Sequence, residues 1–308
     1  MEADRIVEEA LRASADDLVE LAERTRPMLA RGEISRSGAE VVGRLVKLPR
    51  VGRAIVVGDV HGDLASLQHV LRDSRFIERA SSGEELWIVF LGDYGDRGQH
   101  SPEVYHVVLR LQELFPDRVV LLRGNHEGPR DLLASPHDMP YHFIAKFGRE
   151  DGVRAYRAVR EIWDVLYTAV LVEGSVIMLH GGAPSRARSL EDVAFAHEKH
   201  PDEPHLEEML WSDPGEGITG ALPSWRGAGR LFGPDVTRRF LLLANARALV
   251  RGHEPCELGY KLNHGGLIMT LFSRKGPPYF NEMAAYLEID LSAELSSAKE
   301  LERYVRVF

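Results

Sequence analysis

The chain has a single cysteine, Cys256, so no disulfide can form within it. That scarcity fits a reducing compartment. No apolar run approaches the roughly 18 residues that a membrane-spanning helix needs. No basic block exists either; the formal net charge is −9, whereas sequence-general nucleic-acid binding needs a cationic footprint. The opening residues Met1-Glu2-Ala3-Asp4 are acidic and lead into no apolar stretch of the signal-peptide kind. The expectation is a cytoplasmic protein that engages neither nucleic acid nor membrane. An acidic surface also repels polyanions, unless cations gather locally in a cleft.

What the chain does have is a repeated arrangement. Short β-rich apolar runs each end in a polar cluster. Ala54-Ile55-Val56-Val57 leads into Gly58-Asp59-Val60-His61-Gly62. Residues 86–91 lead into Gly92-Asp93-Tyr94-Gly95-Asp96-Arg97-Gly98, and residues 119–122 into Arg123-Gly124-Asn125-His126-Glu127. Residues 176–179 lead into His180-Gly181-Gly182, and residues 248–250 into Arg251-Gly252-His253-Glu254. Continuous apolar runs that alternate with helical patterns predict buried strands of an α/β fold. Ligands in such sheets lie beyond the carboxyl ends of the strands. Residues 4–24 carry apolar positions at helical spacing and predict one amphipathic helix. Residues 31–38 read as a loop, residues 141–168 as helix, and residues 197–230 as an irregular excursion. The division expected is an N-terminal helical segment, 1–50, packed on one catalytic domain, 51–308.

The clusters supply a coherent set of groups. Asp59 and His61 sit two apart and face the same way in extended backbone. Asp93 offers a carboxylate able to bridge two cations. Asn125, His180 and His253 add one oxygen and two nitrogens. Such a set without thiolate suits manganese, iron or zinc better than a structural zinc site. Two divalent ions sharing a carboxylate can activate water for an in-line displacement. His126 is placed to protonate a leaving alkoxide, with Asp96 to orient its imidazole. The planar fork of Arg97 suits phosphate oxygens. Cys256 reads as a packing residue, and the nine other histidines show no pattern; His197, His200 and His205 read as solvated. Trp211 and Trp225 read as packing.

Taken together, these five motifs closely resemble those of the phosphoprotein phosphatase (PPP) family of serine/threonine phosphatases, within the calcineurin-like metallophosphoesterases. The likeness extends to Leu210-Trp211-Ser212-Asp213-Pro214, Arg226-Gly227 and Leu271-Phe272-Ser273, and covers roughly residues 50–273 in family order. It implies a single-domain mixed β-sandwich flanked by helices, with a dinuclear metal centre. It further implies Asp59 and His61 on the first metal, Asp93 bridging, and Asn125, His180 and His253 on the second. His126 would be the general acid paired with Asp96, while Arg97 and Arg226 grip the phosphate. The implied reaction is hydrolysis of phosphoserine and phosphothreonine in proteins by direct attack of metal-bound hydroxide, without a phosphoenzyme. Two divalent ions, manganese first and iron or zinc next, are the implied cofactors. Phosphoproteins are the implied substrates, and no regulatory subunit is indicated. The alternatives are a dinucleoside tetraphosphate hydrolase of the same superfamily and an inactive phosphoprotein-binding module.

Two departures from the family pattern carry expectations. Gly95 replaces a larger apolar residue, which predicts a looser central loop. Arg274-Lys275-Gly276-Pro277-Pro278-Tyr279 replaces the usual Ala-Pro-Asn-Tyr continuation. Tyr279 then stands in as the aromatic residue near the substrate, and Arg274 and Lys275 add charge at the cleft mouth. An altered loop that leaves the cleft open would also admit phosphotyrosine.

Overall fold

The structure, a computed structural model, describes residues 2–308; Met1 and the side chains of Arg36 and Ser37 lie outside the described set. Two large sheets face one another. The first is five-stranded, in the order Val305–Val307, Ala285–Asp290, Arg53–Val57, Leu86–Phe90, Val119–Leu121. Its last three strands are mutually parallel. The second is seven-stranded and mixed, in the order Glu40–Val42, Leu45–Lys47, Ala169–Val172, Val176–Leu179, Ala248–Arg251, Ile268–Leu271, Tyr260–Asn263.

The apolar runs are continuous because both faces of each strand are covered. In the second sheet, Val170, Val172, Val176, Met178, Val250 and Met269 turn into the core shared with the first sheet. The intervening Leu171, Ile177, Leu179, Leu249 and Ile268 enter a separate core. That second core includes Leu206 and Met209 of helix His205–Trp211, and Val236 and Phe240 of helix Pro234–Leu243. Period-two alternation thus assigns the residues of one strand to two cores.

The parallel strands align their carboxyl ends along one edge. Beyond that edge the sheets are joined by isolated parallel bridges, Asp59 to Phe272 and Leu122 to Tyr167. Ser273 reinforces the first. Its buried Oγ accepts from Gly58 N at 2.8 Å and donates to Ala285 O at 2.7 Å, while its own N–H donates to Asp59 O.

Several elements differ from the sequence expectation. The single N-terminal helix is two, Glu2–Arg12 and Ala15–Ala30, because Ser14 closes a reciprocal capping box with Asp17. Segment 1–50 also supplies two strands of the second sheet, Glu40–Val42 and Leu45–Lys47. The expected loop at 31–38 contains a 3-10 turn, Glu33–Ser37, between left-handed Gly32 and Gly38. The helix expected over 141–168 breaks at Gly148 into Met139–Phe147 and Arg149–Ile162, and residues 169–172 form a strand. The excursion at 197–230 contains helix His205–Trp211 and strands of a small three-stranded sheet. His205 is buried there rather than solvated.

Replacing Ser273 by alanine would remove both side-chain bonds at the junction of the sheets and leave buried backbone groups unpaired. The expected loss is about 2 kcal/mol of unfolding free energy, read from urea denaturation. A loss within error of zero would show that the junction does not depend on this hydroxyl.

Candidate active site

All five clusters converge at the carboxyl edge of the two sheets. The backbone there is unusual: His61, Asp93, Asp96, Arg97 and His253 all have positive φ. Residues other than glycine rarely adopt such values, and they concentrate where a site over-determines them. Gly124 makes room for this packing, since a Cβ on it would lie 2.1 Å from Asp93 Oδ1.

Asp93 is buried at the centre and presents its two oxygens to two different histidines. Oδ2 lies 3.4 Å from His61 Nε2, and Oδ1 lies 3.5 Å from His180 Nε2. Each imidazole has its other nitrogen occupied. His61 Nδ1 donates to Gly95 O at 2.9 Å, and His180 Nδ1 donates to Leu91 O at 2.9 Å. Burial holds His61, His180 and His253 well below the ordinary histidine range, with further lowering from His126, Arg251 and His180 respectively. The imidazoles are therefore neutral, and the Nε2 lone pairs of His61 and His180 face Asp93 oxygens with no proton between. Asn125 Oδ1 extends the arrangement, at 2.9 Å from His180 Nε2 and 3.0 Å from His253 Nδ1.

Asp59 completes the first side. Its Oδ1 accepts from His253 N at 2.8 Å, while its buried Oδ2 lies 3.7 Å from His61 Nε2 and has no hydrogen-bond donor among the described residues. Burial pushes Asp59 up to about 7, against partial relief from the His253 N–H and Arg251. Burial, then the charges of Asp59 and Glu127, push Asp93 well above the carboxylate range. Crowded acceptors, neutral imidazoles and an orphaned carboxylate oxygen fit divalent cations of the oxygen- and nitrogen-binding kind. Two sets of potential ligand atoms lie within 4.8 Å of one another: His61, Asp93 and His126, and Asp93, His180 and His253. His126 belongs to the first by distance, but its Nδ1 is already held by Asp96 Oδ2 at 2.6 Å. Only its Nε2 remains free to act in the cleft.

Arg97 and Arg226 line the same cleft of about 490 Å³. Arg226 Nε donates to Asp213 Oδ2 at 2.6 Å, leaving its terminal nitrogens available. Asp213 Oδ1 in turn accepts from buried Arg251 at 2.9 Å. Tyr279 also lines the cleft, its ring centroid 5.5 Å from that of His61. The 274–279 loop therefore overhangs the site rather than leaving it open. A larger cavity of about 1320 Å³ lies between helices Ala15–Ala30 and Arg149–Ile162. Neither metal-competent set lies there, so the chemistry, not the volume, identifies the site.

Four sequence expectations change. Arg274 is buried, and its guanidinium donates to His61 O at 3.0 Å and to Pro277 O, so it staples the loop instead of charging the cleft mouth. Lys275 turns its ammonium over the Phe308 ring. The space beside Gly95 is filled, because a Cβ there would lie 2.6 Å from Met139 Cε. Trp211 packs edge-on to His253, as a packing residue should, but Trp225 is 77% exposed at the cleft rim. Cys256 is buried with its thiol pushed up to about 12 by desolvation, which suits packing and not attack.

Two residues without an assigned role prove central. Glu127 accepts from Asp93 N and Gly124 N through Oε2, and from Tyr94 N and Tyr105 O–H through Oε1. It thereby fixes the loop that carries Asp93, and its place beside Asn125 and His126 was the available signal. His137, one of the histidines without a pattern, donates from Nδ1 to Asp96 Oδ2 at 2.8 Å. Nothing local in the sequence marks it.

The calcineurin-like phosphoesterase family matches residues 52–257. A probable serine/threonine-protein phosphatase of Encephalitozoon cuniculi is 34% identical over 91% of this chain, which spans 60% of that relative's length. A protein phosphatase 2A catalytic subunit of Dictyostelium discoideum is 30% identical over 82% of this chain and 76% of its own. A protein serine/threonine phosphatase structure from Saccharomyces cerevisiae superposes with a TM-score of 0.73 at 22% identity, over 96% of this chain and 89% of that one, a likeness of fold. The mixed sandwich, the converging motifs and these matches agree: the chain belongs to the calcineurin-like phosphoesterase family, on the branch of its serine/threonine protein phosphatase relatives.

Proposed function

We propose that the protein is a metal-dependent phosphatase of phosphoserine and phosphothreonine in proteins, working in the cytoplasm. The observation that carries this reading is Asp93 turning one oxygen to each of two neutral histidines, with a proton donor and two arginines around the same cleft. Asp59, His61 and Asp93 would hold one divalent cation, and Asp93, Asn125, His180 and His253 the other. Manganese is the first choice, with iron or zinc next. When bound, such a pair supplies Lewis-acid activation of water and neutralises phosphoryl charge.

The chain's own groups do the rest. Arg97 and Arg226 face the phosphoryl oxygens, where planar forks orient as well as attract. Asn125 lines the same cleft and would meet the same oxygens. Tyr279 stands over His61 and limits how the ester enters. As the P–O bond to the serine or threonine oxygen breaks, protonated His126 gives its Nε2 proton to that oxygen, so that an alcohol leaves rather than an alkoxide. Asp96 keeps the ring aimed. Burial alone would raise Asp96, but the hydrogen bonds from His126 and His137 outweigh it and hold the carboxyl far below its ordinary value. Water oxygen bonds to phosphorus as the ester oxygen leaves, so the phosphoryl group passes directly to water as inorganic phosphate and no phosphoenzyme forms.

Two outcomes follow. His126→Asn is expected to lower kcat on a phosphoserine peptide by about 100-fold or more, within the range of general acid catalysis. The loss on 4-nitrophenyl phosphate, whose leaving group needs no proton, should be at least tenfold smaller (about one order of magnitude is the discriminating difference). Parallel losses would remove His126 as acid. A dinucleoside tetraphosphate included in the same assay separates the superfamily alternative, and turnover of it in preference to phosphopeptide would favour that reading.

The second outcome concerns metal removal. Asp59 is raised in the folded protein from 3.8 to about 7. A raised carboxyl contributes stability below its unfolded value and loses it as pH rises through the folded one. The neutral histidines act in the opposite sense over the same window, so the comparison is with Asp59→Asn, in which they are retained: the Tm of chelated wild type relative to the chelated variant should fall as pH rises from about 4 to about 7. Added Mn²⁺ should restore most of the difference at pH 7. A Tm difference between wild type and Asp59→Asn that is flat across that window, with a wild type indifferent to Mn²⁺, would contradict the buried-carboxylate account.

A further inference from the structure

His126 is held by Asp96, and Asp96 is held by a segment that belongs to none of the five motifs. Asp96 is fully buried and accepts three hydrogen bonds. His126 Nδ1 and His137 Nδ1 share Oδ2, at 2.6 and 2.8 Å, and Met139 N donates to Oδ1 at 2.5 Å. A single bond to His126 would leave the carboxylate free to turn about its terminal torsion, which is broad for aspartate. Met139 N on Oδ1 and the ring donors on Oδ2 fix its plane, and His137 takes up the part of Oδ2 that His126 does not use, leaving His126 one direction of approach.

His137 is itself fixed. Its Nδ1 donates to a carboxylate, so in the neutral ring Nε2 is an acceptor, and it receives the Tyr156 O–H at 2.8 Å. Burial raises the Tyr156 phenol to about 12, which keeps that proton in place. The ring edge packs against Trp163 with centroids 6.0 Å apart. On either side of His137 the same segment holds Arg97: Pro136 O accepts from its guanidinium at 3.1 Å, and Asp138 Oδ1 accepts from its backbone N–H at 3.1 Å. Met139 fills the space left by Gly95. Residues 136–139 thus clasp residues 95–97, of which Asp96 and Arg97 adopt positive φ.

We propose that His137 is a positioning residue for the proton donor: by occupying one side of Asp96 Oδ2 it confines His126 Nδ1 to the other and so aims His126 Nε2 into the cleft, with Tyr156 setting the tautomer of His137. The proposal rests on the phosphatase reading for its kinetic consequence, but the geometry it asserts exists in the protein without substrate. It acts through Asp96 and touches neither the ester nor the cations. A residue that merely satisfies a buried carboxylate would affect every substrate alike. One that orients an acid affects only esters whose leaving group must be protonated.

The test uses the full chain loaded with Mn²⁺, as wild type, His137→Ala, His137→Asn and Tyr156→Phe. In His137→Ala, kcat on a phosphoserine peptide should fall about tenfold, part of the general-acid contribution. KM, and kcat on 4-nitrophenyl phosphate, should each stay within about twofold, well below that contribution. Asparagine places an amide N–H near the position of Nδ1, so His137→Asn should recover most of the lost rate. Tyr156→Phe, which removes only the tautomer-setting hydroxyl, should show a smaller loss in the same direction. Equal losses on both esters, or an asparagine variant no better than alanine, would overturn the proposal. Low-field proton NMR of the substrate-free protein, loaded with diamagnetic Zn²⁺ in place of paramagnetic Mn²⁺, supplies an arm independent of turnover. Wild type should show imidazole N–H signals from both rings on Asp96, and His137→Ala should lose one and shift the other. An unmoved His126 signal would refute the coupling even if catalysis were intact. Wild type inactive on both esters would instead sink the phosphatase reading and leave the NMR arm to decide the positioning.

Discussion

The buried carboxylate of Asp93 is the constraint on which the site depends. Placing two carboxylates, Asp59 and Asp93, inside a protein is costly unless positive charge meets them. Three neutral imidazoles stand around them with lone pairs turned inward. Direct protein bonds satisfy part of this arrangement: His253 N on Asp59, His126 N on Asp93 Oδ1, and Glu127 on the Asp93 backbone. Asp59 Oδ2 has no hydrogen-bond donor among the described residues. The fold holds acceptors close together by its rigidity, and cations would relieve the repulsion that results. Family membership and local electrostatics thus lead to the same centre by separate routes.

The two sheets explain why the groups meet where they do. Parallel strands end together, so loops far apart in sequence share one edge. The bridges Asp59–Phe272 and Leu122–Tyr167 fasten the sheets at that edge, and Ser273 adds side-chain bonds at the first. Around the metal-competent centre lies a second layer that aims the working side chains. Asp213 holds Arg226 against Arg251, Glu127 holds the Asp93 loop, and the 136–139 segment holds Asp96 and Arg97. Positive φ at five site residues shows that the backbone bends to suit the chemistry, and this second layer is what sustains it.

Much of this was legible in the sequence because it is local. A buried parallel strand needs an apolar run, and its polar cluster follows within five residues, so Asp59, His61, Asp93, Asn125, His126, His180 and His253 were all visible as strand-end clusters. What was illegible is what depends on contact across the chain. His137 lies 41 residues from Asp96 with no motif around it. The substitution at Gly95 looked like a loosened loop, since the compensating Met139 comes from a helix whose start was placed two residues late. Arg274 looked like an exposed charge because nothing nearby in sequence reveals that its guanidinium reaches the His61 carbonyl. The strand Ala285–Asp290 was missed because it carries no cluster at its end, although it pairs with Arg53–Val57 at the centre of the first sheet.

The claim that everything turns on is that Asp93 is shared by two cations. Calorimetric titration of the chelated protein with Mn²⁺ tests it most directly, comparing wild type with Asp93→Asn. Two equivalents bound by wild type, and loss of tight binding at both sites in the variant, is the result this account predicts. Two tight sites surviving in Asp93→Asn, or fewer than two in wild type, would contradict it.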